Sequence, residues 1–244
     1  MINVANQIFL VLFKISTKLF KLFNIKRRFY FSSKEILEKN FPENNNFTFI
    51  QIGANDGKSF DFLFDFVVKR KSSGVVLEPV KEYFKELNYN YSGFPNIIKI
   101  NKAAHPTEKK VVINRIKPSA VQKYPDWVKG IASLDQEHHK KTGIDSNDIM
   151  EEVVDADTLM NLINANITTK KVDYFQVDTE GFDFEVIKML DFDCLKPDII
   201  KYESINLEKS DNERLILLLK KYNYFLFSEF GDTVAINLQN IKLY

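Results

Sequence analysis

Phe49-Ile50-Gln51-Ile52-Gly53-Ala54-Asn55-Asp56-Gly57 is the stretch on which the reading of the whole chain turns. Phe47 to Ile52 is a mostly apolar, β-prone run that stops at Gly53, and helical spacing begins near Ser59. The unit this predicts is strand, glycine turn, helix. Small residues in such a turn let a ligand approach the backbone closely. The glycine spacing is Gly-x-x-x-Gly, so the Gly-x-Gly-x-x-Gly of a pyrophosphate cradle is missing and a dinucleotide is disfavoured.

Downstream the unit repeats. Gly74 to Leu77 reads as a short buried strand ending at Glu78-Pro79, and Val80 to Tyr91 has helical spacing. Glu78 lies 78 − 53 = 25 residues after the first glycine, where a carboxylate can accept hydrogen bonds from two ribose hydroxyls. A glycine turn and that carboxylate at the ends of consecutive strands describe a site for an adenosine-type cofactor. Ile97 to Ile100 and Val111 to Ile116 are further strands, and the polar region from about 117 to 152 is an insertion without sustained period. Regularity resumes with a helix over Asp157 to Ile163, a strand over Val172 to Val177 and a helix over Phe182 to Leu190. A strand over Ile199 to Tyr202 and a helix over Asn212 to Tyr222 follow. Tyr224 to Phe230 and Thr233 to Leu238 make a closing pair around a turn at Gly231-Asp232. Strands alternating with helices predict an α/β fold, a mainly parallel sheet with helices on both faces and a C-terminal antiparallel hairpin.

In such sheets ligands sit beyond the carboxyl ends of the strands, so two acids stand out. Asp178 follows the apolar strand ending at Val177, and Glu203 follows Ile199-Ile200-Lys201-Tyr202. Carboxylates at adjacent strand ends can share one metal ion, or one can act as general base while the other orients an acceptor. Equally, Asp178 can cap the helix near Phe182, and Glu203 can sit in a surface ion pair.

Composition bounds the rest. A chain of 244 residues with 45% hydrophobic content holds one substantial core. With 34 Lys and Arg against 33 Asp and Glu, no global basic field exists to hold nucleic acid. The lone Cys194 excludes an intrachain disulfide and suits a reducing compartment such as the cytoplasm. Upstream, Ser32 with Glu35 reads as a capping box opening a short helix that Pro42 ends. Residues 1–30 form a separate amphipathic element before the body at 31–244. Ile8, Leu12, Ile15, Leu19 and Leu22 share a helical face, Lys14, Thr17, Lys18 and Lys21 fall on another, and Lys26, Arg27 and Arg28 make a basic tail. No apolar run reaches the length of a bilayer crossing. This helix can lie on an anionic membrane, peripherally at the inner membrane surface, pair with its copy in a homodimer, or pack on the body.

Phe49 to Gly57, Val75-Val76-Leu77-Glu78-Pro79-Val80, Asp173 to Glu185 (with Asp178-Thr179-Glu180-Gly181-Phe182-Asp183 at its centre) and Ile199 to Glu203 together resemble the FkbM family of methyltransferases, in order and spacing, from about Phe47 to about Leu238. The resemblance implies a Rossmann-like methyltransferase fold with a seven-stranded sheet. It implies S-adenosylmethionine as cofactor and O-methylation, with a hydroxyl of a sugar, nucleotide sugar or glycan as acceptor. By that likeness Gly53, Ala54, Asn55, Asp56 and Gly57 line the cofactor turn, Glu78 holds the ribose, and Asn101 to Ala103 lie near the adenine. Ala132 to His139 is similar to the family's Ser-Ser-aromatic-Asp segment, with alanine and leucine replacing the first serine and the aromatic residue. His138 or His139 is then a general base or metal ligand, or one of an exposed pair, and His105 before Pro106 reads as a turn residue. Asp178 and Glu203 are expected to act at the acceptor, directly or through Mg²⁺ or Mn²⁺. The competing readings are an NAD-dependent Rossmann oxidoreductase and a non-catalytic module binding a membrane or partner.

Overall fold

The computed structural model describes residues 2–22, 31–60, 62–167 and 171–244, without the side chains of residue 17 and residues 19–22. Thr17, Leu19, Lys21 and Leu22 therefore lie outside the described side chains, and Lys26, Arg27 and Arg28 outside the described residues.

In chain order the elements are α1 (Ile2–Leu22), α2 (Ser33–Asn40), β1 (Asn46–Ile52), α3 (Leu63–Val68), β2 (Lys71–Leu77), α4 (Lys81–Asn90), β3 (Ile97–Ile100), β4 (Ala103–Ala104) and β5 (Lys110–Ile116). They continue with α5 (His138–Thr142), β6 (Ile149–Asp157), α6 (Leu159–Asn164), β7 (Tyr174–Val177), α7 (Asp183–Lys188), β8 (Ile199–Glu203), α8 (Lys209–Lys221), β9 (Tyr224–Glu229) and β10 (Asp232–Asn237). Seven strands form one sheet in the order β3-β2-β1-β7-β8-β10-β9. All neighbours are parallel except β10, which runs antiparallel to both β8 and β9. Between β1 and β7 the strand order reverses, which opens a crevice at their carboxyl ends.

The period of two along each strand divides the core. Ile50, Ile52, Val75, Leu77, Phe175 and Val177 face α6, α7 and α8, while Phe47, Phe49, Val76 and Tyr174 face α2 and α3. Phe47 and Phe49 are fully buried, and truncating either to alanine costs about 3–5 kcal/mol. Aromatic rings supply much of this layer: Phe47 meets Phe41 and Phe66 edge-on at 5.1 and 5.0 Å.

Three local readings are corrected. The helix after the first turn starts at Leu63 and not near Ser59, because Asp56 accepts from the amides of Lys58 (2.9 Å) and Ser59 (2.8 Å) and holds a polar turn there. The closing hairpin turns at Phe230-Gly231, since Glu229 already pairs with Asp232 and Phe230 takes the positive φ of 55°. Residues 149–152 belong to a strand: β6 pairs with β5 from Ile149 to Asp155 and with β4 at Ala156 and Asp157, forming a second sheet, β4-β6-β5. Its solvent face carries Glu151, Val153 and Asp155, so its sequence lacks the apolar run that marks a buried strand. Arg115 closes this sheet onto α4 through Glu152 (2.6 Å) and Glu82 (3.2 Å).

α1 docks onto the C-terminal segment. The buried Asn6 donates to the carbonyls of Leu238 (3.0 Å) and Ile241 (2.7 Å) and accepts from the amide of Leu243 (3.1 Å). Among the described residues no helix is long and apolar enough to cross a membrane.

Candidate active site

The carboxyl ends of β1 and β7 approach so closely that a side chain at residue 53 has no room. A Cβ on Gly53 would stand 1.8 Å from the Asp178 carbonyl oxygen, and its φ of +76° also favours glycine. β1 therefore ends in a tight turn pressed against the residue that follows β7. Above it opens a cleft of about 360 Å³, the scale of a small-molecule site.

One wall is the cofactor-type turn expected from the sequence. Gly53, Ala54, Asn55 and Gly57 line the cleft together with Glu78 and Ala103. Glu78 is buried, its two carboxylate oxygens accepting from the amides of Asn55 and Val80 at 2.8 Å each. Burial raises its pKa to about 7, partly offset by those two bonds. Each oxygen retains a second lone-pair direction for a ligand hydroxyl.

The opposite wall is acidic. Carboxylate oxygens of Asp178, Glu180 and Glu203 lie within 4.8 Å of one another. Asn206 Nδ2 bridges two of them, donating to Glu180 Oε2 (2.8 Å) and Glu203 Oε1 (3.0 Å). Glu203 Oε2 is buried without a hydrogen-bond partner among the described residues. Burial and then the charges of Glu180 and Asp183 push the Glu203 pKa up to about 8, with the Asn206 bond opposing. Asp178 is raised well above the ordinary carboxylate range, by desolvation first and then by Glu203, Asp183 and Glu180. Its side chain is open to the cleft, where the neighbouring carboxylates repel its charge.

Asp183, at the start of α7, holds this wall in shape. It is fully buried and accepts from the Thr179 amide (3.3 Å), the Thr179 hydroxyl (2.9 Å) and the Glu203 amide (3.2 Å). Burial lifts its pKa to about 7. Asp178 caps no helix: α7 has no side-chain cap, and the nearby carboxylate bonding to backbone is Asp183.

Several expected site residues stand elsewhere. Asp56 faces its own turn, outside the cleft. Asn101 donates to the carbonyls of Glu78 (2.8 Å) and Pro79 (2.9 Å), so it shapes the turn after β2 while its neighbour Lys102 lines the cleft. His138 is buried behind the wall, its Nε2 2.9 Å from Glu180 Oε2 but off the line of a well-aligned hydrogen bond. His139 is half-buried with Nδ1 on the Gln136 carbonyl at 2.8 Å. His105 stacks 5.5 Å from Phe182 and accepts the Glu108 amide at 3.0 Å. Glu180 is the residue sequence reasoning passed over; the signal was its place two residues after Asp178 and before Gly181, a backbone reversal in which Glu180 takes φ 53° and Gly181 φ 103°.

The segment between β5 and β6 roofs the cleft. Asn55 Nδ2 donates to the Lys129 carbonyl (2.8 Å) and Ser133 Oγ to the Glu180 carbonyl (2.8 Å), tying it to both walls. Phe60 and Trp127, about half exposed, present aromatic surface to the cleft.

Residues 51–226 match the family model of the methyltransferase FkbM domain. No curated protein matches the chain. Among solved structures, methyltransferase FkbM from Methylobacillus flagellatus KT is similar at TM-score 0.47 and 11% identity, over 79% of this chain and 44% of that one. This chain thus spans under half of that protein. The O-methyltransferase from Bacillus cereus in complex with SAH is similar at TM-score 0.43 and 8% identity, over 92% of this chain and 90% of that one. Precorrin-6y C5,15-methyltransferase from Geobacter metallireducens GS-15 gives 0.41 and 12%, over 84% and 87%.

Proposed function

The chain belongs to the FkbM methyltransferase family, and from that premise we propose that it is an S-adenosylmethionine-dependent O-methyltransferase whose acceptor is a hydroxyl of a sugar, nucleotide sugar or glycan. The observation that carries the reading is the convergence of the Gly53–Asn55 turn, Glu78 and the Asp178–Glu180–Glu203 carboxylates on one cleft at the point where strand order reverses. Glu78 accepts from the ribose hydroxyls, and Gly53 and Ala54 let the nucleoside lie against backbone. Ala103, which lines the same cleft, would lie beside the adenine. When bound, S-adenosylmethionine supplies an electrophilic methyl carbon on a positively charged sulfur. The three carboxylates stabilise that charge, which relieves their mutual repulsion.

Transfer forms an oxygen–methyl bond as the sulfur–methyl bond breaks, so holding the acceptor oxygen in line is much of the work. A sugar hydroxyl is weakly acidic and needs a base. Glu203, with Oε2 free of any described partner and a pKa near 8, takes the hydroxyl proton, and Asp178 orients the acceptor. Phe60 and Trp127 suit a sugar, whose apolar C–H face packs on aromatic rings while its hydroxyls reach the acids. The three carboxylates also form an all-oxygen donor set for Mg²⁺ or Mn²⁺, which would acidify the acceptor hydroxyl as a Lewis acid.

Calorimetry with S-adenosylhomocysteine and with NAD tests the donor. Binding of the first and not the second is expected, and the reverse would overturn the reading. Mass spectrometry of nucleotide sugars incubated with the donor, with and without chelator, then reads the acceptor class and the metal.

A further inference from the structure

α1 carries two apolar faces where packing uses one. Inward, Phe9 and Leu10 pack against the core beside Asn6, Phe9 lies 5.5 Å from Tyr244 and Phe13 5.0 Å from Phe31. Outward, Val4, Ile8, Val11, Leu12 and Ile15 recur at i, i+4, i+7, i+8 and i+11, which places them on a single stripe. Their exposures are 64, 57, 55, 60 and 50%. Scattered exposed apolar residues are ordinary, but a continuous stripe along one helix marks an interaction surface.

Charge says what covers it. Lys14 and Lys18, both exposed, border the stripe along one side. Residues 1–34 contain Lys14, Lys18, Lys21, Lys26, Arg27, Arg28 and Lys34 and no acidic residue; the first is Glu35. An apolar stripe edged by lysines matches the layering of an anionic bilayer, with side chains in the acyl boundary and ammonium groups among phosphates. A second copy of the helix matches it poorly, because neither element carries an acid to meet the lysines and antiparallel pairing would set the lysine borders against each other.

We propose that the outward stripe of α1 seats the protein on an anionic lipid surface. The helix lies in the membrane plane, since no described helix can cross. The body follows rigidly, because Asn6 fastens α1 to the C-terminal backbone at three points.

Flotation of the full chain with phosphatidylcholine vesicles, with and without roughly 30% phosphatidylserine, at about 0.1 M salt tests this. The protein should float with the anionic vesicles and be depleted from the neutral ones. Lys14→Gln with Lys18→Gln should weaken binding about 25-fold, and Ile8→Glu with Leu12→Glu should abolish it. All four positions are exposed, so both variants should keep the wild-type circular dichroism. Equal binding to neutral vesicles, binding unaffected by either variant, or no binding to any vesicle would overturn the proposal. So would a dimer in sedimentation equilibrium that Ile8→Glu with Leu12→Glu disperses, which would assign the stripe to a second copy.

Discussion

Gly53 and Asp183 set the geometry of the cleft from opposite sides. At Gly53, a methyl group would strike the backbone of Asp178 and would also have to adopt φ +76°. Gly53→Ala should therefore lower stability by roughly 2 kcal/mol or more and abolish S-adenosylhomocysteine binding, read by thermal unfolding and calorimetry. Unchanged binding would show that the turn is not the nucleoside site. At Asp183, an amide in place of the carboxyl turns an NH₂ toward donors from Thr179 or Glu203. Asp183→Asn should cost about 1–3 kcal/mol and depress turnover more than donor affinity, because it displaces Glu203 while leaving Glu78 in place. Equal losses in both would point to general unfolding.

At the scale of elements, α1 depends on one polar side chain. Asn6→Ala removes bonds to Leu238, Ile241 and Leu243 and leaves buried backbone groups unsatisfied. Hydrogen exchange over residues 2–22 should accelerate while the central strands stay protected; no change would mean that the apolar contacts alone fix the helix. The same scale explains what the sequence discloses. β1, β2, β7 and β8 are short apolar runs followed by Gly, Glu or Asp, because both their faces are buried and their ends line a cleft. β6 escapes detection since its outer face is wet and acidic, and α3 is misplaced because Asp56 extends the preceding turn. Strand ends revealed Glu78, Asp178 and Glu203. They could not reveal that Asp56 and Asn101 turn inward on their own loops, that His138 stands behind Glu180, or that Glu180 joins the acids, because those outcomes depend on φ and on contacts with the segment between β5 and β6.

At the scale of the whole molecule, buried acids hold their protons above the ordinary range: Glu78 and Asp183 have pKa about 7 and Glu203 about 8, against 4.5, 3.8 and 4.5, and Asp178 and Asp198 are raised in the same direction. Below the ordinary values neither folded nor unfolded chain is ionised at these groups. As pH rises past them the unfolded chain releases protons that the folded chain keeps, so these groups make stability decline between about pH 4 and pH 8. The unfolding midpoint of the ligand-free protein should fall over that window, each kcal/mol appearing as about 2–4 °C, and Glu203→Gln should flatten the decline toward pH 8. A midpoint that rises across the window would contradict this arrangement of acids. With Glu203 as the proposed base, kcat/KM is expected to climb with pH as that carboxyl, at about 8 in the ligand-free protein, gives up its proton. The roof over the cleft has a kinetic corollary. Since Lys129 hangs from Asn55 and Ser133 from Glu180, whatever occupies the glycine turn also sets the height of the ceiling above the acids. On the proposed activity a guest on the glycine turn would shift that ceiling, so the donor is expected to enter before the acceptor, and any pattern other than competitive inhibition by S-adenosylhomocysteine against the donor would count against this order.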